Sequence, residues 1–278
     1  MTNLTDQELS KKLAVIEANN RRLDALRLYD GEDRVITVAE AKTEVALKPR
    51  IPTIKCGVYE IDNALDGFRG GEVVVVSGPT GQGKTTFLQS LTYTFTVPTL
   101  WFSYEVGLAD FLERFGLNVP SFTLPRTTKP SDLKWLETRI WEAKAKHGVK
   151  VVFIDHLHFL IPFNALMGNS SLAIGHFMRE IKRIAIETDT VIFLISHLKK
   201  TEIDKAPSIS DLRDSSFIGQ EADIVMLIWR ETQEGLERYT DNAFLKIEKN
   251  RRKGTLKYWK MQHVNSRFHI IKGGSNNG

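Results

Sequence analysis

The run Gly78-Pro79-Thr80-Gly81-Gln82-Gly83-Lys84-Thr85 places a lysine and a hydroxyl side by side after a glycine-rich loop. The spacing is G-x-x-x-x-G-K-[ST], and it lies between an apolar block and a helix-like stretch. Glycines let a backbone curl until its N–H groups converge on phosphate oxygens. A helix N-terminus adds partial positive charge at the same point. Lys84 then reaches the β- and γ-phosphates of a nucleotide, and the Thr85 hydroxyl ligates Mg²⁺. Thr86, next in line, belongs to the same turn and caps or packs. Gly78–Thr86 is therefore the expected phosphate-binding segment.

Four further positions could act on such a phosphate. Asp155 closes the apolar block Val151-Val152-Phe153-Ile154. An acid at the C-terminal end of a parallel strand sits where doubly wound sheets bind ligands, and there it holds Mg²⁺ with Thr85. Glu105 follows Leu100-Trp101-Phe102-Ser103. A carboxylate there can polarise an attacking water, although the same residue also reads as a helix-start Glu favoured by the macrodipole. His197 follows Val191–Ser196 and either senses the terminal phosphate or packs. His156 and His158 flank Asp155, but their spacing matches no zinc motif.

These side chains need a scaffold that brings strand ends together. Short blocks rich in Val, Ile and aromatics lie at Val73–Ser77, Thr99–Ser103, Lys150–Asp155, Thr190–Ser196 and Asp223–Trp229. Helix-like stretches separate them, at about 84–95, 107–116, 131–147, 172–188 and 211–220. Near-continuous apolar strands alternating with helices predict an α/β fold with a mainly parallel sheet covered on both faces. Asn242–Lys249, Leu256–Met261 and Arg267–Ile271 then predict an antiparallel C-terminal extension. Ahead of the sheet, residues 5–29 predict a helix opened by the capping box Thr5-Asp6-Gln7-Glu8 and stopped by Asp30-Gly31. Residues 30–56 are polar, with Pro49 and Pro52, and predict a linker or extended arm.

Composition narrows the class. Of 278 residues, 42% are hydrophobic and 26% charged, as in ordinary globular chains. The single cysteine, Cys56, excludes an intramolecular disulfide and a Cys-rich zinc site. No apolar run reaches the roughly 18 residues a membrane span needs. Residues 1–6 carry no basic segment followed by an apolar one, so the cytoplasm is the expected compartment. A net charge of +4 permits a nucleic-acid partner without requiring one.

Taken in order, the segments resemble the RecA-like motor domain of the DnaB- and Twinkle-type replicative hexameric DNA helicases of superfamily 4. The segments are Gly78–Thr85, Phe102–Glu105, Val152–His158, Ile195–Lys199, and Ser210–Ser215 with Gln220–Asp223. The resemblance covers about residues 50–271 and implies a RecA-like P-loop NTPase fold using ATP and Mg²⁺. It makes Glu105 the catalytic base and His197 the phosphate sensor, where DnaB proteins usually carry Gln. His158 also stands where the family usually has Gln.

Lys249-Asn250-Arg251 matches the position from which the family sends a basic pair to the ATP of the adjacent subunit. By the resemblance, Arg251 is an arginine finger and Lys249 its companion, which implies a ring, a hexamer by family habit. Read alone, the same residues are a solvated basic hairpin tip. Lys199, Lys200 and Lys205 fall where central-channel loops bind single strands through phosphates, as does the loop near Phe163–Ser171. A solvated lysine loop is the plain alternative.

The expected organisation is an N-terminal helix and arm over residues 1–49, able to dock on a neighbouring subunit, an ATPase domain over 50–271 and a flexible tail over 272–278. The N-terminal stretch is too short to hold a primase domain. The resemblance thus implies a bacterial or phage-type helicase translocating 5′ to 3′ on single-stranded DNA at a duplex fork, with primase or loader proteins as partners. Two alternatives stay open at this point: a RecA-family filament or recombination ATPase, and a nucleotide-gated DNA-binding assembly factor with negligible turnover.

Overall fold

In the computed structural model the apolar blocks are strands of one sheet. The structure describes residues 6–47, 52–162, 170–198, 206–211, 215–232 and 239–271. The eight strands are β1 (Val73–Gly78), β2 (Thr99–Ser103), β3 (Val151–Asp155), β4 (Val191–His197), β5 (Ile224–Thr232), β6 (Tyr239–Asn250), β7 (Lys257–Val264) and β8 (Arg267–Ile270). Their order is β2-β3-β4-β1-β5-β6-β7-β8. Strands β2, β3, β4, β1 and β5 pair in parallel. From β5 onward, β6, β7 and β8 pair antiparallel. This is the predicted parallel sheet with its antiparallel extension.

Side chains of a strand alternate between faces, and β1 shows the rule directly. Val74 and Val76 join the core with Phe87, Leu88, Trp101, Phe153 and Phe193. Val73 and Val75 join the opposite core with Leu100, Phe102, Ile154, Leu136 and Ile181. Helices α3 (Tyr59–Leu65) and α4 (Lys84–Thr94) contribute to the first layer, and α5 (Leu108–Glu113) adds Phe111. Helices α6 (Leu133–His147) and α7 (Ser170–Thr188) cover the second, with Ile218 and Ala222 at and beyond α8 (Ser215–Glu221). Trp101 is fully buried and donates its indole N–H to Thr92 Oγ1 at 3.0 Å. Burying a side chain of this kind contributes about 1.5–3 kcal/mol.

The chain divides into two units, Met1–Arg50 and Ile51–Gly278. The first holds α1 (Asp6–Arg27) and α2 (Val38–Leu47). The stretch predicted to be a linker or extended arm therefore contains a helix. Its start is a capping box: Glu40 N donates to Thr37 Oγ1 at 3.2 Å, and Thr37 N donates to Glu40 Oε2 at 2.8 Å. Helix α1 ends at Arg27, before Asp30-Gly31, and Thr5 of its predicted box lies outside the described residues. The predicted tail, 272–278, lies outside them as well. Among the described residues no helix is long and apolar enough to cross a membrane.

Candidate active site

Strand β1 delivers the phosphate loop at the C-terminal edge of the parallel strands, and α4 begins at Lys84. Two glycines are required by what surrounds them. A Cβ at Gly78 would stand 1.9 Å from the Ile228 carbonyl oxygen of the neighbouring strand. Gly83 precedes α4 at φ 96°, and a Cβ there would meet the Phe268 ring at 2.6 Å. Thr80 and Gly81 are exposed at the crown of the loop. Thr86, half-buried in the first turn of α4, accepts the Ser90 hydroxyl on its carbonyl at 2.7 Å.

Lys84 is buried and donates to the Gly78 and Pro79 carbonyl oxygens at 2.9 and 2.8 Å. Burial pushes its pKa down to about 8, against the pull of Asp155 and Glu105. Thr85 Oγ1 donates to Asp155 Oδ2 at 2.7 Å. Burial pushes the Asp155 carboxyl up to about 6; the Thr85 hydrogen bond opposes this and Glu105 adds to it. Asp155 Oδ1 is buried without a hydrogen-bond partner. An orphaned carboxylate oxygen beside a threonine hydroxyl is a hard-oxygen pair that fits Mg²⁺, a cation that takes one or two protein oxygens and completes its shell with phosphate and water.

Glu105 is exposed just beyond β2, and its charge acts on both Lys84 and Asp155. The sheet brings it to the loop because β2 and β3 pair in register, Ser103 opposite Asp155, and Tyr104 N donates to the Asp155 carbonyl at 2.8 Å. His197 ends β4 directly opposite Gly78. His156 lies 4.3 Å from His197 between ring centroids, and His158 lies 6.0 Å from His197. Burial first, then His197 and His158, drives the His156 pKa down to about 3, so its imidazole is neutral at physiological pH. Among the described residues no group of three or more His, Cys, Asp or Glu is arranged to hold a metal ion.

Sequence reasoning missed the wall on the far side of the loop. Gln82 is buried, and its Oε1 accepts the Arg230 backbone N–H at 3.0 Å. Arg230 in turn donates Nε to the Thr240 carbonyl at 2.9 Å and lies 5.9 Å from the centre of the Tyr239 ring. The Tyr239 ring is also the nearest neighbour a Cβ at Gly81 would find. Nothing in the local sequence couples residues 82 and 230; the parallel pairing of β1 with β5 does.

Lys249 and Arg251 sit at the other end of the sheet. Asn250 pairs with Ile224, the first residue of β5, whereas the loop follows the last residue of β1. The length of β1 alone separates the two ends by roughly 16 Å. Neither basic residue is a solvated tip. Lys249 Nζ donates to the carbonyls of Gly219 at 2.6 Å, Gln220 at 3.1 Å and Ala222 at 2.7 Å, closing the C-terminus of α8. Arg251 pairs with Asp223 at 3.1 Å and also donates to the Gln220 carbonyl. Arg252, not singled out by the sequence, turns the other way: it pairs with Glu72 at 2.6 Å and donates to the Leu65 carbonyl at 2.9 Å. Lys199, Lys200 and Lys205 lie outside the described residues, as do 163–169 of the other candidate strand-binding loop.

Residues 122–270 match the family model of the DnaB-like helicase C-terminal domain. The replicative DNA helicase DnaB of Buchnera aphidicola subsp. Baizongia pistaciae is 24% identical over 236 residues, covering 70% of this chain and 49% of that protein. A solved structure of a DnaB-like replicative helicase and its interactions with primase superimposes with a TM-score of 0.71 at 21% identity, over 96% of this chain and 72% of the other. A second solved structure, an isolated ATPase domain, does so with a TM-score of 0.70 at 20% identity, over 87% of this chain and 100% of the other. At such identities the two structures establish the shared fold. The chain spans about half the length of the curated relatives it matches.

Proposed function

Because this chain belongs to the DnaB-like helicase C-terminal domain family, we propose that it is the motor of a ring-forming replicative DNA helicase. It hydrolyses ATP between subunits and moves 5′ to 3′ along single-stranded DNA at a duplex fork. The observation that carries this reading is the constellation of Lys84, the Thr85–Asp155 pair and Glu105 around one glycine loop.

The backbone of Gly78–Thr85 and the α4 N-terminus cradle the phosphates of ATP. Lys84, released from its loop carbonyls, places an ammonium on the β- and γ-phosphates. Thr85 and Asp155 would hold Mg²⁺, which when bound draws negative charge from those phosphate oxygens. Glu105 orients the attacking water and takes its proton. Arg251 and Lys249 of a neighbouring copy approach the γ-phosphate from across the interface, since within one chain they lie at the wrong end of the sheet. An arginine in this role accelerates transfer about 10³–10⁵-fold. His197 senses phosphate loss at the strand beside the loop. Lys199, Lys200 and Lys205 grip the strand, and Arg230 with Tyr239 offers a cationic and aromatic flank for the nucleobase. The working assembly is a hexameric ring in the cytoplasm, served by a primase or loader.

The test is steady-state ATP hydrolysis with and without single-stranded DNA at fixed salt, followed by strand separation on a forked duplex. Turnover that DNA stimulates, with unwinding, is the expected outcome. Turnover indifferent to DNA would move the protein to an ATPase whose partner is another protein. ATP binding without turnover would replace the motor by a nucleotide-gated scaffold.

A further inference from the structure

We propose that Lys182 and Asp223 form a charge-balanced mount that holds Arg251 in position without quenching its charge. The inference rests on the reading of Arg251 as a residue acting on a neighbouring copy's phosphate.

Asp223 is the hinge of the arrangement. It is 6% exposed and sits just before β5, at the N-terminal edge of the parallel strands. Its two oxygens are divided between the core and the hairpin. Oδ2 accepts the Val73 backbone N–H at 2.8 Å and Lys182 Nζ at 2.7 Å. Oδ1 faces Arg251 Nη1 at 3.1 Å. The Asp223 carbonyl also accepts Arg251 N at 2.9 Å, so backbone and side chain fix the same residue. Lys182 is anchored in turn, donating to the Gly71 carbonyl at 2.7 Å from α7.

The charges explain why a lysine is there. A carboxylate against Arg251 alone would make a neutral pair and cancel the field that a neighbour's phosphate must feel. With Lys182 on the second oxygen, the three groups sum to one positive charge. The guanidinium remains half-exposed, at 47%. It spends one edge on Asp223 and Gln220, which leaves its remaining N–H donors for an acceptor outside the chain. Orientation before the reaction removes reorganisation during it. Lys182 and Asp223 are thus positioning residues: they touch no substrate and act through Arg251.

The experiment compares Lys182→Met, Lys182→Arg, Arg251→Ala and the double variant Lys182→Met/Arg251→Ala in the assembled protein. It reads kcat and KM for ATP together with the melting temperature. Lys182→Met is expected to lower kcat about tenfold, the scale of one charge-assisted hydrogen bond, with KM nearly unchanged. Lys182→Arg keeps the charge and is expected to keep kcat. In the Arg251→Ala background, Lys182→Met is expected to cost nothing further. Wild-type kcat in Lys182→Met, or an equal further loss in the double variant, would overturn the mount while leaving the arginine's role intact. If Lys182→Met does not fold, a fall of kcat in Lys182→Arg at an unchanged melting temperature overturns it instead. Wild-type turnover in Arg251→Ala would remove the trans-acting arginine itself, and the mount with it.

Discussion

The Thr85 hydroxyl donates to Asp155 Oδ2 across 2.7 Å, joining the first turn of α4 to the end of β3. The second oxygen of the same carboxylate is buried and unpaired. Replacing Asp155 by Asn keeps the size and removes the charge that a magnesium ion needs. Asp155→Asn is expected to lower ATP turnover by about 100-fold or more, with nucleotide still bound. Hydrolysis measured across a magnesium titration checks this. Wild-type rates at the same magnesium concentration would remove Asp155 from the site.

Gly83 and Phe268 occupy one space. A Cβ at position 83 would both meet the ring at 2.6 Å and take a φ of 96°. Gly83→Ala is expected to cost about 1–3 kcal/mol in unfolding free energy. Phe268→Ala, which opens a cavity, costs about 3–5 kcal/mol by itself. In the double variant the ring clash is gone, so the two losses should sum to less than their total. Denaturant unfolding of all four proteins reads the coupling, and strict additivity would show that the ring is not what excludes a side chain there.

Lys84 ties protonation to ligand binding. Its folded pKa, about 8, lies below its ordinary 10.5 because the ammonium is buried. Between those values the unfolded chain holds more protons. Stability from this group therefore rises with pH across that window, and the cost of the buried charge is fully present below about 8. Phosphate oxygens favour the charged ammonium, so ATP binding near pH 8 is expected to take up a proton. Calorimetry in two buffers of different ionisation heat measures it. Equal heats in both would sink the idea, and Lys84→Met should abolish the difference.

The separation of Arg251 from its own phosphate loop predicts complementation. Arg251→Ala should bind ATP and hydrolyse it slowly, and Lys84→Ala should not hydrolyse at all. Mixed under conditions that exchange subunits, the intact loop of one copy meets the intact arginine of the other. Activity above that of either variant alone is the expected result. Its absence, with exchange verified, would argue that the arginine does not act between copies.

The strands were legible because parallel strands buried on both faces leave nearly unbroken runs such as Val73–Val76 and Val151–Ile154. The phosphate loop was legible because its chemistry is local. Helix α2 was not, since it is short and none of its residues is buried; the Thr37–Glu40 box was the available signal. Helix α3 was hidden by brevity, although Asp62 holds the backbone before it by accepting Cys56 N and Gly57 N at 2.8 and 3.0 Å. The basic run Lys249–Lys253 reads as uniformly solvated. Only the pairing of β5 with β6 sends Lys249 and Arg251 to α8 and Arg252 to Glu72. Partners of that kind are set by topology and leave no trace in spacing.

The position of β1 in the sheet also dictates when the phosphate loop can exist. Its two neighbours are β4 and β5, with Val73 opposite Ile192 and Val74 opposite Ile224. The strand that carries the loop thus lies early in the chain, while everything that pairs with it comes late. Closing segments of that length is entropically costly and slow. A ribosome-bound chain that has not yet released β5 has made every residue of the loop and none of its final shape. Ile228, whose carbonyl crowds Gly78, and Arg230, whose N–H Gln82 accepts, must both emerge first. Nascent chains should become nucleotide-competent only after that point in synthesis.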